Sequence, residues 1–162
     1  MEVIVAESIP MTIRGKQKLE AELKNLVHVE RPAVIKAIEE ARAQGDISEN
    51  AEYDSAKDRQ AWIEGRIAEI QTKIATAQVV DTSSLKSDRV VFGAHVVLED
   101  LESGKEVTYQ IVGLDEADVK EGTISIVSPL ARALIGKRTG DTAEVSTPTS
   151  TKEYEVKKFF FK

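Results

Sequence analysis

The sequence predicts an α+β protein. An antiparallel two-helix coiled coil occupies residues 1–80 with its tip at 45–50, and an antiparallel sheet carrying one short helix occupies residues 81–162. Three observations predict it. Ile63, Ile67, Ile70, Ile74 and Ala77 recur at spacings of four, three, four and three, which is a heptad seam. Gly45 closes an earlier stripe of the same kind, and helix-starting residues follow almost at once. Beyond residue 80 the apolar residues come in short β-branched runs broken by glycine.

The elements follow in order. Thr12 is placed to cap the first helix, and Leu19, Leu23 and Leu26 begin its apolar stripe. Val34, Ile38 and Ala41 resume the stripe after a slip of phase, and Pro32 beside the slip predicts a kink or local irregularity. Gly45 suits the position just past the helix end. Asp46 and Glu49 then have the spacing of a capping box, with Ser48 a second candidate cap, and the seam of the second helix reaches back through Gln60, Ala56 and Tyr53. Two long helices joined by so short a turn must run antiparallel, and their Lys-, Arg- and Glu-rich outer faces keep them from being buried all round. A polar linker, 81–88, leads to expected strands at 89–100, 106–113, 122–128, 142–148 and 152–161, with a hairpin turn at Glu102–Lys105. One short helix intervenes, with Ser128 as N-cap, Pro129 in the first turn and Gly136 at its end.

The 162 residues carry 22 basic and 28 acidic side chains, a net charge of −6, with 41% hydrophobic residues. Each half holds 11 bases and 14 acids, so the halves differ in pattern and not in charge. The acidic balance argues against a protein that coats nucleic acid by bulk charge. Absence of cysteine excludes disulfides, thiolate metal sites and a cysteine nucleophile. His28 and His95 are too far apart in sequence to suggest a zinc site, and neither is expected to be catalytic. No apolar run approaches the roughly 20 residues that span a bilayer. The acidic start, MEVIVAESIP, is unlike a signal peptide, so a cytoplasmic location is expected. No G-x-S-x-G elbow, P-loop or G-x-G-x-x-G is present. His28 is expected on or beside the helix seam, Trp62 and Tyr53 as packing residues of the hairpin, and Phe159–Phe161 as a terminal strand with a ring in the core.

The acids at the tip are the informative feature. Asp46, Glu49, Glu52 and Asp54 fall within nine positions, and no base lies between Arg42 and Lys57. One reading is local: acids near a helix N-terminus are favoured by about 0.3–1 kcal/mol. The other is a tip that delivers metal ligands. Mg²⁺ is octahedral and is normally held by one or two carboxylates together with phosphates and waters. Two carboxylates on a finger therefore make chemical sense beside ligands supplied by a partner. Arg42 and Lys57 are placed to meet the phosphates of a nucleic acid being cut, or else serve solubility and helix pairing.

The tip GDISENAEYDSAK (45–57) resembles the signature of the bacterial GreA/GreB family of transcript-cleavage factors. IPMTIRGKQKLEAEL (9–23), ERPAVIKAIEEARAQGD (30–46), DEAD (115–118) and ISIVSPLARALIGKRTGD (124–141) resemble it too, in the same order. The resemblance covers the chain except for residues 1–8, a short extension. It implies an FKBP-like C-terminal domain and a monomeric, cytoplasmic factor with the family's DNA-binding association and no membrane. The implied partners are bacterial RNA polymerase and the RNA 3′ end of a backtracked complex. The finger enters the polymerase's secondary channel, and Asp46 and Glu49 help hold a Mg²⁺ of the polymerase active site; no cofactor is bound by the factor alone. Arg42 and Lys57 correspond to basic contacts near the tip. Arginine is common at the latter position, and lysine keeps the charge without the bidentate fork. Ser128–Pro129 corresponds to the surface that docks on the polymerase. The factor would not be an enzyme itself; it would stimulate cleavage by the polymerase. The intact D-I-S-E-N and the following AEY favour a cleavage factor on the GreA side of the family. The alternatives are a channel-blocking inhibitor that promotes no cleavage and a prolyl isomerase, the latter disfavoured by only 5% aromatic residues.

Overall fold

The computed structural model describes residues 8–45 and 50–162. Its contacts define two compact units. One is Lys16–Thr76, and the other gathers the described residues up to Gly15 with Ala77–Lys162. The chain thus crosses between them at 15/16 and again at 76/77.

The helical unit is a hairpin. Helix α1 (Ile13–Asn25) runs through a π-helical turn (Leu26–Glu30) into α2 (Arg31–Ala43), and α3 (Ala51–Thr76) returns. The 26 residues of α3 span about 39 Å at 1.5 Å per residue. Leu19, Leu26, Val34, Ile38 and Ala41 are buried from one arm, and Ile63, Ile67 and Ile70 from the other. Gln60, Ala56 and Tyr53 are half-buried, as the seam requires. The expected irregularity beside Pro32 is the π turn. Leu26 and Val34 are eight residues apart, one more than a heptad, and a π turn absorbs one extra residue. The Arg31 N–H reaches back to the Leu26 carbonyl. Pro32 has no N–H to continue the ordinary ladder, and the widened turn makes room for its ring.

Ion pairs clamp the two arms. Arg66 grips Glu22 with two bonds of 2.6 and 2.8 Å, Arg31 grips Glu64 at 2.7 and 2.8 Å, and Arg59 reaches Glu30 at 3.2 Å. Glu22, early in the first arm, pairs with Arg66, while Glu30 and Arg31, further along it, pair with Arg59 and Glu64, earlier in α3, as antiparallel arms require. Hydrogen bonds from Arg66, Arg31 and Lys73 hold Glu22, Glu64 and Glu69 respectively below the ordinary carboxyl value of 4.5. A carboxyl with a depressed folded pKa contributes stability above its unfolded value and loses it as pH falls through the folded one. The melting temperature of the hairpin, followed by helical circular dichroism, is therefore expected to decline on acidification below about 4.5. An Arg31→Gln, Arg66→Gln chain should show a smaller decline. An equal decline would assign the acid sensitivity elsewhere.

In the globular unit, β1 (Ile9–Thr12) pairs in parallel with β2 (Ala77–Val80). Neither strand was expected. Ala77 leaves the helical seam and enters β2, because the β-branched pair Val79–Val80 finds a strand partner in β1. The main sheet contains β3 (His95–Asp100), β4 (Glu106–Val112), β5 (Thr123–Ser125), β6 (Thr142–Ser146) and β7 (Thr151–Phe160), in the order β5-β4-β3-β7-β6. Three of its pairings are antiparallel, whereas β4 and β5 are parallel. The expected first strand is shortened. Val90 bonds to Lys137 and Gly136 at the end of the short helix, and Gly93 turns with φ +90°, so the regular strand begins only at His95, although Gly93 and Ala94 still bond to Ile111 at 2.8 and 3.0 Å. Helix α4 (Pro129–Leu134) starts as expected, with the Ser128 hydroxyl accepting the Ala131 N–H at 3.2 Å and Pro129 in its first turn. Ala131 and Leu134 enter a core with Val96, Leu98, Ile111 and Val156, all fully buried, and Phe159 and Phe161 pack against it.

Glu116 locks β1 to this unit. Its carboxylate accepts the N–H groups of Thr12 at 2.9 Å and Gly113 at 3.2 Å, and the hydroxyl of Thr12. That hydroxyl in turn accepts the Gly15 N–H at 3.0 Å, so Thr12 caps α1 as the sequence suggested.

Candidate functional site at the hairpin tip

The end of the hairpin is built from the termini of α2 and α3. Helix α2 finishes with the Gln44 and Gly45 N–H groups turned back to the carbonyls of Ala41 and Arg42, 3.3 Å each. Gly45 has φ +115°, a left-handed conformation that glycine alone adopts cheaply. Helix α3 is capped by Asn50, whose Oδ1 accepts the Tyr53 N–H at 3.0 Å. The Asn50 Nδ2 donates to the Ala41 carbonyl at 2.8 Å. One side chain thus serves both helix ends, satisfying a leftover N–H of α3 and adding a second, shorter bond to the Ala41 carbonyl of α2.

Asp46, Glu49 and Ser48 lie outside the described residues, and so does the expected capping box. The cap is Asn50, directly before the helix, and asparagine is among the preferred cap residues. Arg42 is exposed on the last turn of α2, its guanidinium 6.0 Å from the centre of the half-buried Tyr53 ring. Lys57 is exposed one turn after Tyr53 and donates to the Gln60 side chain at 3.1 Å. Both basic candidates therefore flank the same end of the hairpin, and the exposed Glu52 and Asp54 stand in the first turn of α3. Among the described residues no three His, Asp or Glu side chains gather as a metal cage. Ser128 and Pro129 belong to the other unit, where Ser128 is half-buried at its cap and Pro129 is exposed.

Two of the remaining expectations, for His28 and Trp62, are corrected in part, and that for His95 is met. His28 is exposed in the π turn instead of lying on the seam. Trp62 is 52% exposed and carries the Arg59 guanidinium 4.6 Å above its ring, so it covers the hairpin surface and does not fill the seam. His95 lies in β3 as expected, stacked on Phe160 at 5.1 Å, and burial followed by the Lys162 charge lowers its pKa.

The chain thus combines a helical hairpin, with charged side chains near its end, and a small sheet-and-helix unit. Residues 9–79 match the family model described as transcription elongation factor, N-terminal. Residues 85–159 match the one described as transcription elongation factor, GreA/GreB, C-term. Transcription elongation factor GreA of Verminephrobacter eiseniae is 62% identical over 150 residues, covering 92% of this chain and 95% of its own. The GreA of Ralstonia nicotianae is 62% identical over 151 residues, covering 93% and 96%. Among solved structures, the transcription factor Gfh1 aligns at 27% identity over 96% of this chain and 99% of that one, with a TM-score of 0.46. The chain belongs to the GreA/GreB family of transcription elongation factors, on its GreA-like side. No described helix is long and apolar enough to cross a membrane.

Proposed function

We propose that this factor stimulates cleavage of backtracked RNA by bacterial RNA polymerase, with its hairpin end inserted through the polymerase's secondary channel. The observation that carries the reading is the arrangement at the tip. Asn50 ties the last turn of α2 to the first turn of α3, and Arg42 and Lys57 stand on either side of the connection that bears Asp46 and Glu49. Asp46 and Glu49 would hold Mg²⁺ together with ligands of the polymerase and the RNA. Two carboxylates fill only part of an octahedral shell, which suits a shared ion and not a site of the factor's own. Two-metal cleavage of a phosphodiester uses one ion to activate water and one to steady the leaving oxygen, and Asp46 and Glu49 would help hold the second of these ions and orient the attacking water. Arg42 is placed to meet RNA phosphate with its planar fork, and Lys57 as a point charge. Ser128 and Pro129 would contribute to docking on the polymerase. The factor supplies ligands and the polymerase supplies the rest, so no cleavage is expected from the factor alone.

The test is to add the protein to backtracked polymerase complexes with Mg²⁺ and follow RNA length. Shortened RNA that can be extended again supports the reading. Blocked synthesis without shortening would instead identify an inhibitor that occupies the channel.

A further inference from the structure

We infer that Asn50 is a positioning residue for the cleavage reaction, acting by holding the two ends of the segment that carries Asp46 and Glu49 at a fixed separation. This assignment rests on the function proposed above. The geometry is specific to asparagine. Its Oδ1 takes the Tyr53 N–H at 3.0 Å while its Nδ2 gives a proton to the Ala41 carbonyl at 2.8 Å. Its own carbonyl accepts the Asp54 N–H at 3.1 Å, which fixes its backbone to the first turn of α3. Ala41 is only 2% exposed on the seam and therefore a rigid anchor. The bond spans from one helix to the other, so it does more than a cap needs. A cap requires only an acceptor, which Asp or Ser supplies equally well. The Nδ2 donor is the part that joins the helices, and among the common cap residues only asparagine carries a donor and an acceptor on two separate atoms, one for each helix. Tyr53, whose N–H Asn50 holds, also lies beneath Arg42, so the same side chain steadies the ring that supports the nearest basic group.

Catalysis by delivered ligands depends on where they arrive. A displacement of about 1 Å at a reacting centre can cost as much as 100-fold in rate. Loosening the base of the connection should therefore lower the maximal rate and weaken use of the metal, without altering how tightly the factor docks.

The experiment uses the full-length chain and its Asn50→Asp and Asn50→Ser variants. Both keep an acceptor for the Tyr53 N–H; Asp has no donor, and the single Ser hydroxyl, one bond shorter, puts none where Nδ2 meets the Ala41 carbonyl. Cleavage of backtracked RNA is measured against factor concentration and against Mg²⁺ concentration. The expected result is a maximal rate at saturating factor reduced about tenfold in both variants, with the half-saturating factor concentration within about twofold of wild type. The Mg²⁺ concentration for half-maximal cleavage should rise in both. Unchanged helical circular dichroism and melting establish that the hairpin is intact, and if Asn50→Asp melts early, Asn50→Ser carries the comparison. A wild-type maximal rate in both variants overturns the assignment, as does a loss confined to the half-saturating concentration. A wild-type chain that shortens no RNA overturns the functional reading itself, and this assignment with it.

Discussion

Asp46→Ala and Glu49→Ala chains are expected to bind RNA polymerase nearly as well as wild type while stimulating RNA cleavage about 100-fold less, or not at all. On the proposed function, each substitution would remove a charged oxygen ligand from an ion that the factor only helps to hold. The remaining ligands would then retain the ion poorly and leave the attacking water less polarised. Docking should survive, because the residues proposed to dock on the polymerase, Ser128 and Pro129, lie far from these acids in the sequence. Asp46→Asn is the more discriminating variant: it keeps the shape and an acceptor oxygen but loses the charge, and raised Mg²⁺ should partly restore it. Retention on immobilised polymerase, measured beside the cleavage rate, checks both halves of the expectation. A parallel loss of binding would move these acids from chemistry to docking.

Glu116→Ala is expected to destabilise the globular unit by about 2–4 kcal/mol, because three donors lose one charged acceptor. Thr12 is only 4% exposed, so its N–H and hydroxyl have little water to turn to. The site has no slack for repacking. A Cβ on Gly15 would lie 2.6 Å from the Glu116 carboxyl carbon, and one on Gly113 would lie 2.7 Å from the Pro10 carbonyl oxygen. Glu116→Gln should cost less, since its amide oxygen still accepts while its NH₂ faces donors. Gly113→Ala should be severe, because the obstruction is backbone. Denaturant unfolding ranks the variants, and amide exchange at Thr12 and Gly113 locates the effect. Equal stability of Glu116→Ala and wild type would show that water replaces the carboxylate.

The helical hairpin was largely legible because its information is local and repeated. Every third or fourth residue from Tyr53 to Ile74 repeats the same statement, and Thr12, Gly45, Ser128 and Pro129 act through turns they touch directly. What was illegible depends on partners distant in sequence. Ile9–Thr12 and Ala77–Val80 are four-residue strands whose identity comes only from each other. Alternation marks β4 and β5 as strands but carries no direction, so their parallel pairing left no trace. Residues 89–94 read as a strand because Val90, Val91 and Phe92 have the right composition, yet the backbone of Val90 bonds to the end of α4 and only Gly93 and Ala94 reach β4. At the tip, the acids that suggest metal chemistry drew attention from Asn50, whose two-sided bond requires knowing that Ala41 lies opposite. The same holds for Glu22, Glu64, Arg31 and Arg66, which look like ordinary surface charge until the arms are in register.

The parallel pairing of β1 with β2 has a kinetic corollary. The strands lie side by side, yet the whole helical finger separates them along the chain. Bringing them together from an open coil means closing a long loop, whose entropic penalty grows with the logarithm of its length. Zipping the two arms first, through contacts that begin next to the turn and spread outward, delivers the strands to one another with most of that entropy already spent. The finger would then serve the rest of the molecule twice, as a probe in the finished protein and as a splint while the sheet is being made.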